Sequence, residues 1–168
     1  MINIYIRNIL SFFTVVLLQV LLLDNIQLGG YLNPYFYVIF ILLLPFETPK
    51  WLLIILAFML GLSVDLFNGT PGMHASASVF MAFMRPFTLK NFSPREGYES
   101  GTFPRVYYYG IRWFAKYTII MILSHQLFLF LVESFHFSDI LFTLARVILS
   151  TVLTSLLILI SQFFIYRK

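Results

Sequence analysis

The chain has 168 residues, of which 60% are hydrophobic and 11% are charged, and its formal net charge is +4. Soluble domains carry about 25% charged residues, so this composition excludes an ordinary soluble domain and predicts a single integral membrane domain, 1–168. The absence of cysteine excludes disulfides and thiolate chemistry. Basic residues of membrane proteins are concentrated in cytoplasmic loops. This location accounts for the positive charge, and no nucleic-acid partner is predicted.

Six apolar segments predict an all-α membrane protein with six transmembrane helices. In chain order they cover residues 6–23, 34–46, 51–67, 73–86, 113–132 and 140–166. A helix needs about 20 residues to span a bilayer, and the second and fourth segments are shorter than that. Two interpretations fit these short segments: they are re-entrant, or they are short helices that cross a locally thinned bilayer.

The basic residues favour six crossings. The connections 24–34, 66–74 and 133–139 contain no Lys or Arg. Basic residues lie instead at every other boundary, namely Arg7, Lys50, the group from Arg85 to Arg112, and Arg167 with Lys168. Cytoplasmic connections are the ones enriched in Lys and Arg, so this alternation predicts a multi-pass protein with both termini in the cytoplasm.

A polar turn between the third and fourth segments is the main candidate site. It contains Asp65, Asn68, Gly69, Pro71, Gly72 and His74. An ionisable group near membrane depth is usually functional, and irregular backbone there must pack in protein or line a cavity. We consider two interpretations: a tight helical hairpin, or a polar patch that binds a partner segment or small ligand. Asp65 and His74 are too few to hold a metal, so no metal or cofactor is predicted.

Two ionisable residues lie inside predicted spans. Arg146 is about two turns into the sixth segment, where a charge is costly and usually paired. Its candidate partners are Asp139, Glu133 and Asp65, and the alternative is that its side chain snorkels to the outer interface. His125, near the middle of the fifth segment, is interpreted as a packing element, with a proton relay as the alternative. Interhelical hydrogen bonds are expected from four hydroxyl residues of the sixth segment, Ser150, Thr151, Thr154 and Ser155.

The longest connection, 87–112, is the predicted cytoplasmic loop. Its glycines and prolines interrupt any regular pattern. It is either a solvated loop resting on anionic headgroups or a docking site for a cytoplasmic partner. The contact residues expected there are Arg95, Glu96, Tyr98 and Arg105. No segment of the chain carries a Ser–His–carboxylate motif, a His-Glu-x-x-His motif or a glycine-rich phosphate loop, so a non-enzymatic protein is expected.

The motif Gly61-Leu62-x-x-Asp65-Leu66-x-x-Gly69-x-Pro71-x-x-His74-Ala75, set between two apolar helices, resembles the rod shape-determining protein MreD family. The run Ser93-Pro94-Arg95-Glu96-Gly97-Tyr98-Glu99 and the later Arg112-Trp113-Phe114 look like the Bacteroidetes-type branch of that family. The resemblance implies a multi-pass protein of the cell inner (cytoplasmic) membrane. It also implies a non-enzymatic role in the cell elongation machinery (elongasome), in regulation of cell shape and peptidoglycan synthesis.

The same resemblance implies specific partners. These are an MreC-like single-pass membrane protein, bound in a stable complex, and, indirectly, the MreB filament and peptidoglycan synthases, with membrane lipid around the helices. We expect the partner contacts at 65–74, at Arg146 and in loop 87–112. MreD-like proteins are similar in fold to substrate-binding subunits of ECF-type transporters. The alternative function is therefore a small-ligand-binding membrane subunit of such a transporter, although the first helix lacks the Ala-x-x-x-Ala surface typical of those subunits.

Overall fold

The structure is a computed structural model that describes residues 2–26, 33–134 and 140–165, with side chains described between residues 6 and 164. Within these residues all the regular secondary structure is helical. The helices are α1 (Ile2–Leu18), α2 (Ile39–Leu43), α3 (Lys50–Asn68), α4 (Met73–Asn91), α5 (Val106–Glu133) and α6 (Ile140–Ile165). A π-helical turn, Gln19–Leu23, prolongs α1, and a 3-10 turn, Phe36–Val38, precedes α2. Asp139, Arg167 and Lys168, which contributed to the predictions above, lie outside the described residues.

Four helical stretches of the described chain are long and apolar enough to cross a membrane. They are Ile6–Leu23, formed by α1 and its π-helical turn, and the long helices α3, α5 and α6. The protein is therefore a helical membrane protein. Helices α3 to α6 pack in chain order, each against the next, while α1 and α2 lie beside α3. Large apolar side chains cover the outer faces of α1, α3 and α6, as expected for surfaces in contact with lipid.

The second segment is short, as predicted. It consists of the 3-10 turn and the five-residue α2, and residues 37–42 are all buried. Irregular backbone is tolerated here because other parts of the protein satisfy its polar groups. The side chain of Gln19 donates to the Pro34 carbonyl (2.9 Å) and accepts from the Tyr37 amide (3.3 Å). The segment is thus held inside the bundle by the π-helical turn that follows α1.

The prediction of a short fourth helix is wrong, because α4 has 19 residues and continues through Pro86 to Asn91. Arg85 looked like the end of the span, yet it is only 2% exposed. Its guanidinium donates to the carbonyls of Leu44 and Pro45, just after α2, and to the Tyr117 hydroxyl at 3.0 Å. Since these acceptors satisfy the buried cation, the helix does not need to end where the charge occurs. At about 1.5 Å per residue α4 is about 28 Å long.

The connection after α4 is shorter than the predicted loop 87–112. Helices α4 and α5 extend into it and leave residues 92–105 between them, and α5 is broken at Gly110. This loop packs on the end of the bundle: Tyr98 stacks on Phe46 with ring centroids 4.2 Å apart, and the Trp113 indole donates to the Phe92 carbonyl (2.8 Å). Burial raises the pKa of Tyr98 to about 12. Its hydroxyl therefore stays neutral and donates to the Leu89 carbonyl (2.8 Å).

Candidate functional site

The connection between α3 and α4 is a tight turn, which we call the α3–α4 hairpin (residues 61–75). Helix α3 ends at Gly69, whose φ of 66° is left-handed and whose N–H donates to the Asp65 carbonyl. Gly72, with a φ of 88°, holds the position before α4 that a capping side chain would normally occupy. Both φ values favour glycine because a Cβ would be strained there. The first amides of α4 therefore need acceptors from elsewhere.

The carboxylate of Asp65 supplies those acceptors. Its Oδ1 accepts from the His74 amide (3.0 Å) and the Thr70 hydroxyl (2.9 Å), and its Oδ2 accepts from the Gly72 (3.1 Å) and Ala75 (2.9 Å) amides. The residue is only 2% exposed. A side chain near the end of α3 thus caps the next helix, and its negative charge lies at the positive end of the α4 dipole.

His74 completes the shell around this carboxylate. Its Nδ1 lies 2.9 Å from Asp65 Oδ1, and this contact is a hydrogen bond when Nδ1 carries the proton. The imidazole is buried, and its ring centroid is 5.6 Å from that of Tyr35 and 6.1 Å from that of Tyr37. His74 therefore links the hairpin to the buried second segment.

Gly61 lets the two helices of the hairpin meet main chain to main chain. A Cβ placed on Gly61 would lie 2.4 Å from the His74 carbonyl oxygen and 2.5 Å from the Cα of Ala75. Real Cβ atoms essentially never approach other atoms so closely. Small residues at this kind of contact let helix backbones approach within a membrane. The contact sets the distance at which Asp65 reaches the amides of α4.

All six residues predicted for this turn lie in the hairpin, and they form two groups that differ in solvent exposure. Asp65 and His74 are buried, whereas Asn68, Gly69, Pro71 and Gly72 are exposed. The amide of Asn68 donates to Asp24 Oδ2 (2.9 Å), and Asp24 also accepts from Gln19 (2.7 Å), so the hairpin is tied to the end of α1. This geometry fits the first interpretation, a tight hairpin whose ionisable groups hold the turn itself.

Arg146 pairs with one of its three candidate partners. Its guanidinium lies 3.2 Å from Glu133 Oε1 and 4.5 Å from the centre of the Phe130 ring. The Phe130 ring is in turn 6.0 Å from that of Tyr35, which contacts His74, so Arg146 lies at the same end of the bundle as the hairpin. The Glu133 carboxylate is 39% exposed, so this pair contributes about 0–1 kcal/mol.

A second polar network joins α5 and α6 inside the bundle. Gln126 donates to Thr154 (3.0 Å) and accepts from Thr151 (3.0 Å), which confirms the predicted interhelical bonds for these two threonines. The amide of Tyr35 donates to the same Thr154 hydroxyl (3.1 Å). The Nε2 of His125 lies 2.7 Å from the Tyr37 hydroxyl, which fits its interpretation as a packing element. Two further hydroxyls behave differently: Ser150 accepts from the Asn33 amide, and Ser155 has no partner within the described residues.

The predicted cytoplasmic contact residues lie at the opposite end of the bundle from the hairpin. Arg95 and Glu96 are exposed, whereas Tyr98 and Arg105 are half-buried. The guanidinium of Arg105 lies 5.0 Å from the centre of the Phe103 ring, and that of Arg7 lies at the same distance from this ring. Burial and the nearby Arg7 lower the pKa of Arg105. Of the four residues, Arg95 and Glu96 are therefore the ones open to a partner.

Two polar residues that organise the interior, Arg85 and Gln19, are not among the predicted site residues. The charge of Arg85 predicts a position at the cytoplasmic boundary of a span. Met81 and Leu89 each lie four residues from Arg85, so the helical period places Arg85 on an apolar face of α4, and all three residues are buried in the structure. Gln19 gave no such signal, because its partners lie in irregular backbone around the second segment.

Comparisons with known proteins add no relative: no family model, no curated protein and no solved structure matches this chain. Within the described ranges, no three His, Asp or Glu residues lie close enough together to hold a metal ion. In the hairpin, one carboxylate accepts from three main-chain amides and one hydroxyl, and it also contacts the Nδ1 of His74. Such an arrangement fixes the geometry of a turn.

Proposed function

We propose that this protein is a non-enzymatic, multi-pass inner-membrane scaffold of the cell elongation machinery, which acts through a complex with an MreC-like single-pass protein. The α3–α4 hairpin is the observation that carries the proposal. Four residues on which the MreD resemblance rests, Gly61, Asp65, Gly69 and Pro71, all belong to this one turn. Gly61 allows the close contact between the helices, Asp65 caps α4 and Gly69 ends α3.

The hairpin also offers a surface suited to a partner helix. Leu66 is 77% exposed and Phe67 is 63% exposed, directly beside the exposed Asn68 and Pro71. Apolar side chains at a fixed turn pack against a neighbouring transmembrane helix by van der Waals contact. The partner contact therefore falls on Leu66 and Phe67, while Asp65 acts from inside by holding them in place.

Six crossings with both termini in the cytoplasm complete the proposal, and the chain is well suited to test this because it contains no cysteine. In intact cells or spheroplasts, a membrane-impermeant maleimide is expected to label Asn68→Cys but not Glu96→Cys. Permeabilised cells should label both, since both side chains are exposed. Labelling of Glu96→Cys from outside would contradict the proposed orientation.

Photo-crosslinking tests the scaffold role itself. A photoreactive phenylalanine at Leu66 is expected to capture a single-pass membrane protein with a large extracytoplasmic part. Leu141 is the matched control, because it is also a leucine, is 81% exposed and lies at the same end of the bundle, at the start of α6. Equal capture at both positions would contradict the docking surface.

Depletion of the protein from cells tests the proposed function. Depleted cells should become round and incorporate less of a fluorescent D-amino acid. Unchanged cell shape would contradict the function.

The alternative, a small-ligand-binding subunit of an ECF-type transporter, requires an open pocket with several converging polar groups. In the hairpin, the side chains of Asp65, Thr70 and His74 are directed at one another, and deeper in the bundle Gln126 bonds to Thr154. We therefore favour the scaffold.

A further inference from the structure

A groove runs between α1 and α3 at the end of the bundle that carries Lys50. Its volume is about 580 Å³, within the range of about 300–1,000 Å³ that is typical of ligand sites. Its walls are apolar and come from three helices: Phe12, Phe13, Phe40, Leu52, Leu56 and Met59. Towards the other end of the two helices, the bond from Asn68 to Asp24 holds α1 and α3 together.

The length of the groove fits a lipid acyl chain. One wall runs from Pro49, just before α3, to Met59, which at about 1.5 Å per residue is about 15 Å, or half of the roughly 30 Å hydrocarbon core. The length of the groove therefore matches an apolar chain that reaches the middle of the bilayer.

The polar rim of the groove carries a negative charge. Asn8, Glu47 and Thr48 line this rim, and the Glu47 side chain is exposed. Glu47 accepts a hydrogen bond from the Gly101 amide (3.3 Å), and among the described residues no cationic side chain forms an ion pair with it. A carboxylate at the mouth of an apolar groove favours a cationic group on the molecule that enters the groove.

We propose that this groove binds phosphatidylethanolamine, with one acyl chain along α3 and the primary ammonium group paired with Glu47. The ammonium has three N–H donors, for which the carboxylate of Glu47 and the amide oxygen of Asn8 are acceptors. A phosphatidylglycerol headgroup would place a net negative charge near Glu47. A phosphatidylcholine headgroup has a positive charge but no N–H to donate. The rim chemistry thus selects one headgroup among phospholipids whose acyl chains are the same.

Native mass spectrometry of the full-length protein in mild detergent tests this assignment. With equal amounts of the three lipids bearing identical chains, we expect phosphatidylethanolamine to be retained about two- to fivefold over the others, the range that an exposed ion pair supports. Glu47→Gln should abolish this preference. The glutamine side chain still has an oxygen that accepts the hydrogen bond from the Gly101 amide. Glu99→Gln, which neutralises an exposed carboxylate outside the groove, should leave the preference unchanged.

A groove-filling substitution tests the chain-binding part separately. Leu56→Trp is expected to reduce retention of all three lipids, because the added ring occupies the space of the acyl chain. Equal retention of the three lipids by the unaltered protein, or a preference that survives Glu47→Gln, would overturn the proposal. So would a photoreactive residue at Leu56 that captures a protein instead of lipid. Since none of these readouts depends on cell shape or on an MreC-like partner, failure here is distinguishable from failure of the scaffold proposal.

Discussion

Replacement of Asp65 by alanine is expected to lower the free energy of unfolding by more than about 3 kcal/mol. The substitution removes the acceptor for three main-chain amides and a hydroxyl, and for the His74 imidazole when its Nδ1 carries the proton. These donors lie in or beside a buried helix start, where each unsatisfied polar group costs about 1–3 kcal/mol. Partial access of water to the exposed Gly72 reduces the total, but the amides of His74 and Ala75 stay inside the protein.

Asp65→Asn provides the graded comparison. The asparagine keeps one acceptor oxygen, but its NH₂ group faces donors that formerly bonded to the second carboxylate oxygen. It should therefore destabilise the protein by an intermediate amount. The measurement is the midpoint of unfolding in mixed detergent and SDS micelles, followed by circular dichroism, with Glu99→Gln as a control that changes only an exposed carboxylate. Wild-type midpoints for both Asp65 variants would show that the carboxylate does not cap α4.

This prediction also changes how a loss of partner binding at Asp65 must be interpreted. Because the side chain is 2% exposed, a partner cannot reach the carboxylate while the hairpin is folded. We expect Asp65→Ala to weaken co-purification with an MreC-like protein only to the extent that it unfolds the hairpin. A substitution at Leu66, which is 77% exposed, should weaken co-purification without a change in the unfolding midpoint.

The long apolar helices were predictable from the sequence because hydropathy depends on residue type alone. Helix α1 with its π-helical turn, and helices α3, α5 and α6, each contain a continuous apolar window of the length that a membrane requires. The end of α4 was not predictable in this way. A charge normally marks the end of a span, and only the three-dimensional structure shows that the carbonyls of Leu44 and Pro45 accept the Arg85 donors.

The candidate site was predictable in its location but not in its chemistry. The polar residues between the third and fourth segments stand out in an apolar chain, and the glycines indicate a turn. An N-cap side chain usually bonds to amides two or three residues later. Asp65 instead bonds to amides seven to ten residues later, because Gly69 and Gly72 fold the chain back over it. No local pattern encodes that distance, so the capping role becomes visible only in the folded hairpin.

Gly61→Ala is expected to destabilise the protein by about 1–3 kcal/mol, although alanine is a better helix former than glycine by up to about 1 kcal/mol. The added methyl group would lie within 2.6 Å of three main-chain atoms of His74 and Ala75, and main-chain atoms cannot move aside without a shift of the whole helix. Ser63→Ala, a change of similar size on the same helix, removes only a local hydroxyl bond to Met59 and should leave the unfolding midpoint unchanged. A rescue of Gly61→Ala by Ala75→Gly would contradict this explanation, because the obstructing atoms belong to the main chain.

The effects of Gly61→Ala and Asp65→Ala should not add, because both act on the same place in the structure. Separation of α3 from α4 at Gly61 moves the Ala75 amide away from Asp65 Oδ2, which it contacts at 2.9 Å in the folded protein. The glycine substitution therefore already weakens the capping that the aspartate substitution removes. In a double-mutant cycle of unfolding free energies we expect the double variant to lose less than the sum of the single losses, by at least about 0.5 kcal/mol. Full additivity would mean that the helix contact and the cap are independent, and the hairpin would then not be a single structural unit.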